Sequence, residues 1–247
     1  MSFLKKIGSV VGIGGAKIDT VLDSTVVTQG ENVSGKVVIM GGNTDQIIDK
    51  LQILVYTQVK KKCDEDDSIY FEKEAFQLHE IQGPIKVEAE YEYDVEFSFC
   101  LHGEAPITSI NPTGENSCHV WLETSADIPM AVDPSDTDYL VVSPCEHVKS
   151  ILNYLTNEVG YTIAKADVEN GTATAPEFQT STGFYQEIEL KKDGKELELT
   201  FMLSVESQAL GCLLEVDNGG DDEYASFFVS TSTCASEAHE ALPKHLL

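Results

Sequence analysis

The chain has 247 residues, 42% hydrophobic and 23% charged, enough for one large or two small domains with a buried core. No run approaches the roughly 18 to 20 apolar residues of a membrane-spanning helix, so we expect no transmembrane segment. The 42 acidic residues outnumber the 16 basic ones, all of them lysine, and the net charge is −26. This charge argues against nucleic acid as a partner, because binding it needs a basic surface, and disfavours anionic lipid and acidic substrates.

The first eleven residues form a short amphipathic segment, with Lys5 and Lys6 opposite an apolar face. The apolar face consists of Phe3, Leu4, Ile7, Val10 and Val11. We expect this face to pack on its own domain or on a sister subunit. Contact with a membrane is the less favoured alternative, because two lysines contribute only about 2 kcal/mol against anionic lipid.

The N-terminus does not have the features of a secretory signal. Its apolar run is broken by glycines and lacks an Ala-x-Ala cleavage site. The six cysteines include no CxxC pair and are too sparse for a disulfide scaffold. We therefore predict a cytoplasmic protein.

Residues 1–142 alternate mostly with period two, the pattern of half-buried strands. The clearest case is 91–101, where apolar side chains alternate with charged or small ones. Further on, the alternation predicts that Trp121 faces the opposite side from Val120 and Leu122. Turn signals separate about seven such strands, which predicts an immunoglobulin-like antiparallel sandwich.

One amphipathic helix is predicted over residues 144–159, at the junction between two domains. The sequence Ser-Pro-Cys-Glu at 143–146 predicts a capping box with Ser143 as the N-cap. Apolar residues then recur at helical spacing, and Gly160 lies where a C-terminal cap is expected. The helix opens the predicted C-terminal domain, residues 143–247.

Strands resume after the helix and predict a second sandwich. Asp193-Gly194 lies between two alternating runs, a strong hairpin signal. Two further strands flank an acidic turn after Val216, and the last dozen residues, which show no period, are expected to fray. The predicted fold is all-β, with two antiparallel β-sandwich domains and one helix between them.

Several segments, taken in order, resemble the bacterial sporulation-control protein M family. The matching segments are residues 14–22, 30–37, 41–42 with 48–49, and 121–139, the last being the most specific. The helical region and residues 186–190 and 213–217 match more loosely. The resemblance implies an arrestin-like fold of two stacked β-sandwiches and a regulatory, non-catalytic role. It brings no catalytic residues with it.

Acidic clusters raise the question of calcium, which takes six to eight oxygen ligands. The clusters are residues 64–67, the group Asp133, Asp136 and Asp138, and the turn with Asp217, Asp221 and Asp222. None has EF-hand spacing, and 42 acidic residues produce such clusters by composition alone. We predict no metal and no cofactor, and retain the Asp217 turn as the weak candidate.

Catalytic and zinc motifs also fail to assemble in the sequence. Three Cys–His pairs, at 100/102, 118/119 and 145/147, are too scattered for a structural zinc site. Gly-x-Ser-x-Gly is missing, and no Ser or Cys stands at a strand-to-helix elbow. We therefore predict that the protein is not an enzyme and has no catalytic residues.

Three hypotheses about function remain at this stage. The favoured one is a non-enzymatic, arrestin-like regulatory adaptor that binds a partner protein through its sheet edges or the groove between its sandwiches. The same strand addition would also produce a homodimer. The alternatives are a peripheral membrane protein anchored by the first eleven residues, and a calcium-binding or catalytic β-sandwich.

Overall fold

The computed structural model describes residues 14–217 and 222–247, which fold mainly into strands. The strands are β1 (Lys17–Leu22), β2 (Val26–Thr28), β3 (Asn32–Met40), β4 (Gln46–Ile48), β5 (Lys50–Lys62), β6 (Ile69–Gln82), β7 (Ile85–Val87), β8 (Glu92–Cys100), β9 (Val120–Asp127), β10 (Ser135–Ser143), β11 (Thr162–Asn170), β12 (Phe184–Lys192), β13 (Lys195–Ser204), β14 (Ala209–Asp217) and β15 (Glu223–Ser230). Helix α1 (Glu146–Asn153) continues into a π-helical turn (Tyr154–Val159), and a 3₁₀ segment (Ala235–Ala241) follows β15. None of the helices in the described ranges is long and apolar enough to cross a membrane. The predicted all-β class with one short α-helix is confirmed.

The strands form three sheets. The largest, which we call the large sheet, has the order β15-β14-β13-β12-β11-β5-β9-β10-β2, with β6 also paired to β5. Strands β1, β3 and β8 form a three-stranded sheet, and β4 pairs with β7. Neighbouring strands are antiparallel except β10 with β2 and β5 with β11, which are parallel.

The N-terminal core lies between the three-stranded sheet and the facing strands of the large sheet. Its buried side chains include Val37, Ile39, Phe97, Ile53, Val55 and Leu122. Alternation in β8 is as predicted, because Phe97 and Phe99 are buried while Glu96 and Ser98 are exposed. Burial of apolar area stabilises this layer by about 25 cal/mol per Å².

Helix α1 begins two residues later than its predicted start, and its predicted capping box is wrong. Cys145 is the N-cap, with no side-chain hydrogen bond, and Ser143 is still the last residue of β10. The backbone of Ser143 pairs with Thr28 of β2, and its carbonyl accepts the N–H of Gln29 at 3.1 Å. Sheet pairing therefore takes precedence over local capping. The predicted end is confirmed, since Gly160 is left-handed with φ of 91°.

The C-terminal core lies between strands β12–β15 and the helical segments. Its members include Val148, Ile151 and Leu155 from the helical region and Leu190, Leu199 and Leu214 from the strands. The last residues do not fray as predicted, because Ala238, Leu242 and Leu246 are buried in this core.

The two halves meet at β5, which pairs with β9 along its first part and with β11 near its end. Glu169 pairs with Lys60 in parallel, and a small cluster around Val59, Ala166 and Phe184 fills the space behind them. The large sheet thus runs through both halves. The predicted division after residue 142 stays a prediction.

Candidate functional site: the outer face of the large sheet

One face of the large sheet, which we call the outer face, points away from both cores. In β5, Val55 and Val59 are buried in the cores, and the alternate residues Tyr56 and Lys60 point outward. Because Glu169 of β11 pairs in register with Lys60, the outer face continues across the junction into the C-terminal strands.

The N-terminal part of the outer face carries an aromatic row formed by Tyr139, Trp121 and Tyr56, which lie directly opposite one another on three neighbouring strands. Trp121 lies with its ring centroid 5.8 Å from Tyr56 and 5.9 Å from Tyr139. Its indole Nε1 donates to Glu123 at 3.0 Å. The prediction that Trp121 faces away from Leu122 is confirmed, because Leu122 lies in the core.

A lysine ammonium already lies on this row. Lys73 of β6 places its Nζ 3.8 Å from the centroid of the Tyr56 ring and 2.5 Å from a carboxylate oxygen of Glu123. Such a cation–π contact is worth about 0.5–1 kcal/mol at an exposed site. Ring faces and a carboxylate together therefore form a binding site for an organic cation.

The C-terminal part of the outer face carries a set of carboxylates, which we call the carboxylate face. Its members are Asp167, Glu169, Glu187, Glu189, Glu196, Glu198 and Glu215. Three of them, Glu189, Glu198 and Glu215, lie directly opposite one another on β12, β13 and β14. Like charges at opposing positions destabilise a sheet, so this row lowers folding stability.

Three lysines partly neutralise the carboxylate face. Lys60 bonds to Asp167 at 2.8 Å and to Glu169 at 2.5 Å, and Lys165 also bonds to Asp167. Lys191 lies 2.7 Å from Glu189 and 3.2 Å from Glu196.

Ion pairing outweighs burial at Asp167 and at Lys60. Burial opposes the charge of Asp167, but the bonds from Lys165 and Lys60 outweigh it and lower the pKa of its carboxyl. Burial likewise opposes the charge of Lys60, but its two carboxylate partners raise the pKa of its ammonium.

Glu187 lies among these carboxylates and forms no ion pair with a lysine of residues 14–217 or 222–247. Burial, followed by a hydrogen bond with Glu198 and the charges nearby, raises the pKa of Glu187 to about 9. The raised pKa favours the protonated carboxyl of Glu187, whose O–H can donate a hydrogen bond to Glu198. A cleft of about 180 Å³ opens here, lined by Lys60, Lys165, Asp167 and the neighbouring glutamates.

The predicted calcium turn is only partly described. Asp217 ends β14, Asp222 lies just before β15, and Asp221 lies outside the described residues. A different set of carboxylates lies together, with oxygens all within 4.8 Å of one another. These are Glu189, Glu196 and Glu198. The sequence did contain their signal, because the two-residue turn at Asp193-Gly194 fixes which glutamates of β12 and β13 lie opposite.

Aspartates of the other two acidic clusters serve the fold. Asp66, Asp133 and Asp136 accept the backbone N–H groups of Ser68, Ile128 and Thr20 at 3.0, 3.0 and 2.7 Å. Within the described ranges, the Cys–His pairs form no group of three metal-ligating side chains.

Strand β6 offers an open sheet edge. It is 14 residues long and pairs only with β5 among the described strands. Four apolar side chains of β6 are about half exposed, namely Ile69 (60%), Tyr70 (46%), Phe71 (43%) and Leu78 (50%). A long unpaired edge with exposed apolar side chains is a template for adding another strand.

The groove predicted between the two halves is present as a cleft of about 600 Å³. It is lined by residues 100–104 on the N-terminal side and 202–206 on the C-terminal side. Glu104 fixes one wall, because its carboxylate accepts the backbone N–H groups of Ser181 and Thr182 and both hydroxyls. The predicted interaction residues Phe3, Leu4, Ile7, Val10 and Val11 lie outside the described residues.

Comparison with known proteins covers nearly the whole chain. A family profile described as SpoOM protein matches residues 4–220. The sporulation-control protein spo0M of Bacillus subtilis (strain 168) is 31% identical over 225 residues, with 88% of this chain and 81% of that protein covered. The crystal structure of Spo0M from Bacillus subtilis matches with a TM-score of 0.74 at 26% identity, and the match covers 95% of each chain.

Proposed function

Because this chain belongs to the SpoOM family, as its sequence segments predicted, we propose that it is a non-enzymatic, arrestin-like regulatory adaptor of sporulation control. It acts in the cytoplasm, and it acts by binding another protein. The observation that carries this proposal is the open edge of β6, with its exposed apolar side chains.

Strand addition at β6 suits a partner protein better than a second copy of this chain. An incoming strand would gain main-chain hydrogen bonds along β6, and side-chain contacts with Phe71 and Leu78 would add specificity. Two copies, each carrying a net charge of −26, repel each other at close range. The adaptor is therefore proposed to pair with a different chain.

Two of the six cysteines, Cys118 and Cys212, are too deeply buried to act as nucleophiles. Burial raises the pKa of the Cys118 thiol to about 12, and burial also raises the pKa of the fully enclosed Cys212 thiol well above its usual value. A thiol attacks as the thiolate, so both side chains are inert at neutral pH.

Affinity capture from a lysate of the source organism tests the proposal. The bait is the full chain, compared with a variant carrying Phe71→Lys and Leu78→Lys, because lysines on an edge strand block pairing. Met130→Lys with Val132→Lys is the matched control, since both side chains are exposed in the loop between β9 and β10 and the change in charge is the same. We expect a protein that is retained by the full chain and the control and lost by the β6 variant. Equal recovery by all three baits, or no recovered protein, would contradict the proposal.

A further inference from the structure

The outer face is covered by another segment of the described chain at its C-terminal end. The three-stranded sheet and the helical segments cover the opposite face, and on the outer face Phe178 covers Gly211 and contacts Phe228 at 5.6 Å between centroids. At the other end Tyr139 is 66% exposed and Val141 is 43% exposed. Trp121, which lies between Tyr139 and Tyr56, is only 9% exposed, so Tyr139 is the most exposed ring of the row and the one that a ligand can reach.

The contacts of Lys73 indicate what chemistry the surface accepts. Its ammonium lies on the Tyr56 ring and against Glu123, while the Tyr139 ring on the other side of Trp121 carries no cation of the described chain. Tyr139 thus offers a second ring of the same row, close to the same carboxylate, to an incoming ammonium or guanidinium group.

The charge of the rest of the outer face also favours a cationic partner. The carboxylate face lies on the same side of the same sheet, beginning at Lys60, four residues along β5 from Tyr56. Because its opposed glutamates repel one another, a cation placed between them relieves that repulsion on binding. The surface therefore favours a cationic partner at both ends.

We infer that the outer face docks an extended segment of the partner protein that carries lysine or arginine side chains. One cation of that segment lies on the exposed Tyr139 ring, next to Trp121, and further cations follow along the carboxylate face. This inference rests on the proposed adaptor function and names the chemistry of the partner. The β6 edge would pair with the backbone of the partner, and the outer face would bind its cationic side chains.

Trp121 makes the docking directly measurable, because it is the only tryptophan of the chain and lies in the row. The full chain is titrated with a synthetic peptide of alternating arginine and threonine, and the tryptophan emission is followed at low and moderate salt. A peptide of alternating glutamate and threonine is the control. We expect a saturable change with the arginine peptide, weaker at moderate salt, and no change with the glutamate peptide.

Three variants separate docking in the row from general charge attraction. Tyr139→Ala leaves the net charge unchanged and is expected to weaken binding about tenfold, while Tyr139→Phe keeps the ring and binds like the parent chain. Lys73→Met frees the Tyr56 ring and is expected to strengthen binding about threefold or more relative to Lys62→Met, which makes the same change in net charge at an exposed site outside the row. A purely structural role for these residues predicts no such increase.

The outcomes also separate this inference from the adaptor proposal. Equal affinity of the parent chain, Tyr139→Ala and Lys73→Met, or no binding of the arginine peptide, overturns the inference. Light scattering that shows a dimer lost on Tyr139→Ala overturns it too, because the face is then occupied by a second copy. If lysate capture still depends on β6, the adaptor proposal stands on its own in each of these cases.

Discussion

The two ends of the outer face use the same strand geometry for opposite energetic effects. At the N-terminal end, Tyr139, Trp121 and Tyr56 contact one another, and such aromatic pairs stabilise the sheet by about 0.5–1.5 kcal/mol each. At the C-terminal end, the glutamates of β12, β13 and β14 oppose one another and lower stability. Cross-strand register thus stabilises one part of this sheet and places like charges opposite one another in another part.

The largest change in unfolding free energy is expected when the ion pairs between β5 and β11 are broken. Lys60→Ala removes a cation from Asp167, which is 4% exposed, and we expect a loss of about 2–3 kcal/mol in unfolding free energy because Lys165 remains. Urea denaturation measures the change. The stabilisation from Asp167 is present above its ordinary pKa of 3.8 and is lost as pH falls through its lowered pKa.

Lys62→Ala is the matched control for this variant. Lys62 pairs with Asp67 at 2.7 Å, but the two side chains are 67% and 80% exposed, so we expect almost no change. An equal loss from both variants would show that the junction ion pairs do not differ from surface pairs.

The next effect is a gain in stability at Glu187. Its pKa is about 9 in the folded chain against an ordinary 4.5, so the folded state binds the proton more strongly and loses relative stability as pH rises between these values. Glu187→Gln removes this loss, and we expect a gain of about 1–2 kcal/mol near pH 8, reduced by solvent screening, and little gain near pH 4. Thermal unfolding across this pH range measures it. Glu206→Gln, in an exposed turn, serves as the control, and a gain independent of pH would contradict the explanation.

A smaller effect is expected at the aromatic end. Tyr139→Ala removes one ring contact from Trp121 while leaving the core intact, and we expect a loss of about 0.5–1 kcal/mol. Urea unfolding followed by tryptophan emission measures it. A loss above about 3 kcal/mol would be the size expected for a core aromatic residue and would contradict the description of Tyr139 as a surface ring.

The smallest effect concerns calcium at the carboxylate face. Lys191 already contacts Glu189 and Glu196, two of the three carboxylates that lie together, so we expect millimolar calcium or a chelator to leave the melting temperature unchanged. A rise of several degrees that Glu198→Gln abolishes would instead identify a metal site.

Local patterns predicted those parts of the fold that depend on near neighbours. The alternation of β8, the outward position of Trp121 and the hairpin at Asp193-Gly194 follow from strand period and turn chemistry. The Asp193 and Gly194 backbones have φ of 51° and 85°, as the two-residue turn requires.

Features that depend on distant pairing were not predicted. The capping box failed because Ser143 pairs with Thr28, more than a hundred residues away in sequence. The carboxylate face and its lysines depend on β5 meeting β11, which no periodicity specifies. The Asp193-Gly194 turn predicts which glutamates of the hairpin lie opposite one another. The sequence does not predict that Asp167 and Lys60 lie beside them.

The parallel pair between Lys60 and Glu169 also sets an order for folding during synthesis. Its members are separated by 109 positions, so the end of β5 leaves the ribosome long before β11 exists. Until then Val59 lacks the cluster that covers it and Lys60 lacks its counter-ions. Pairing at such sequence distance slows folding, and an exposed strand end is prone to aggregate in the meantime. A nascent chain that has not reached β11 therefore leaves the end of β5 without the strand that pairs with it at Lys60.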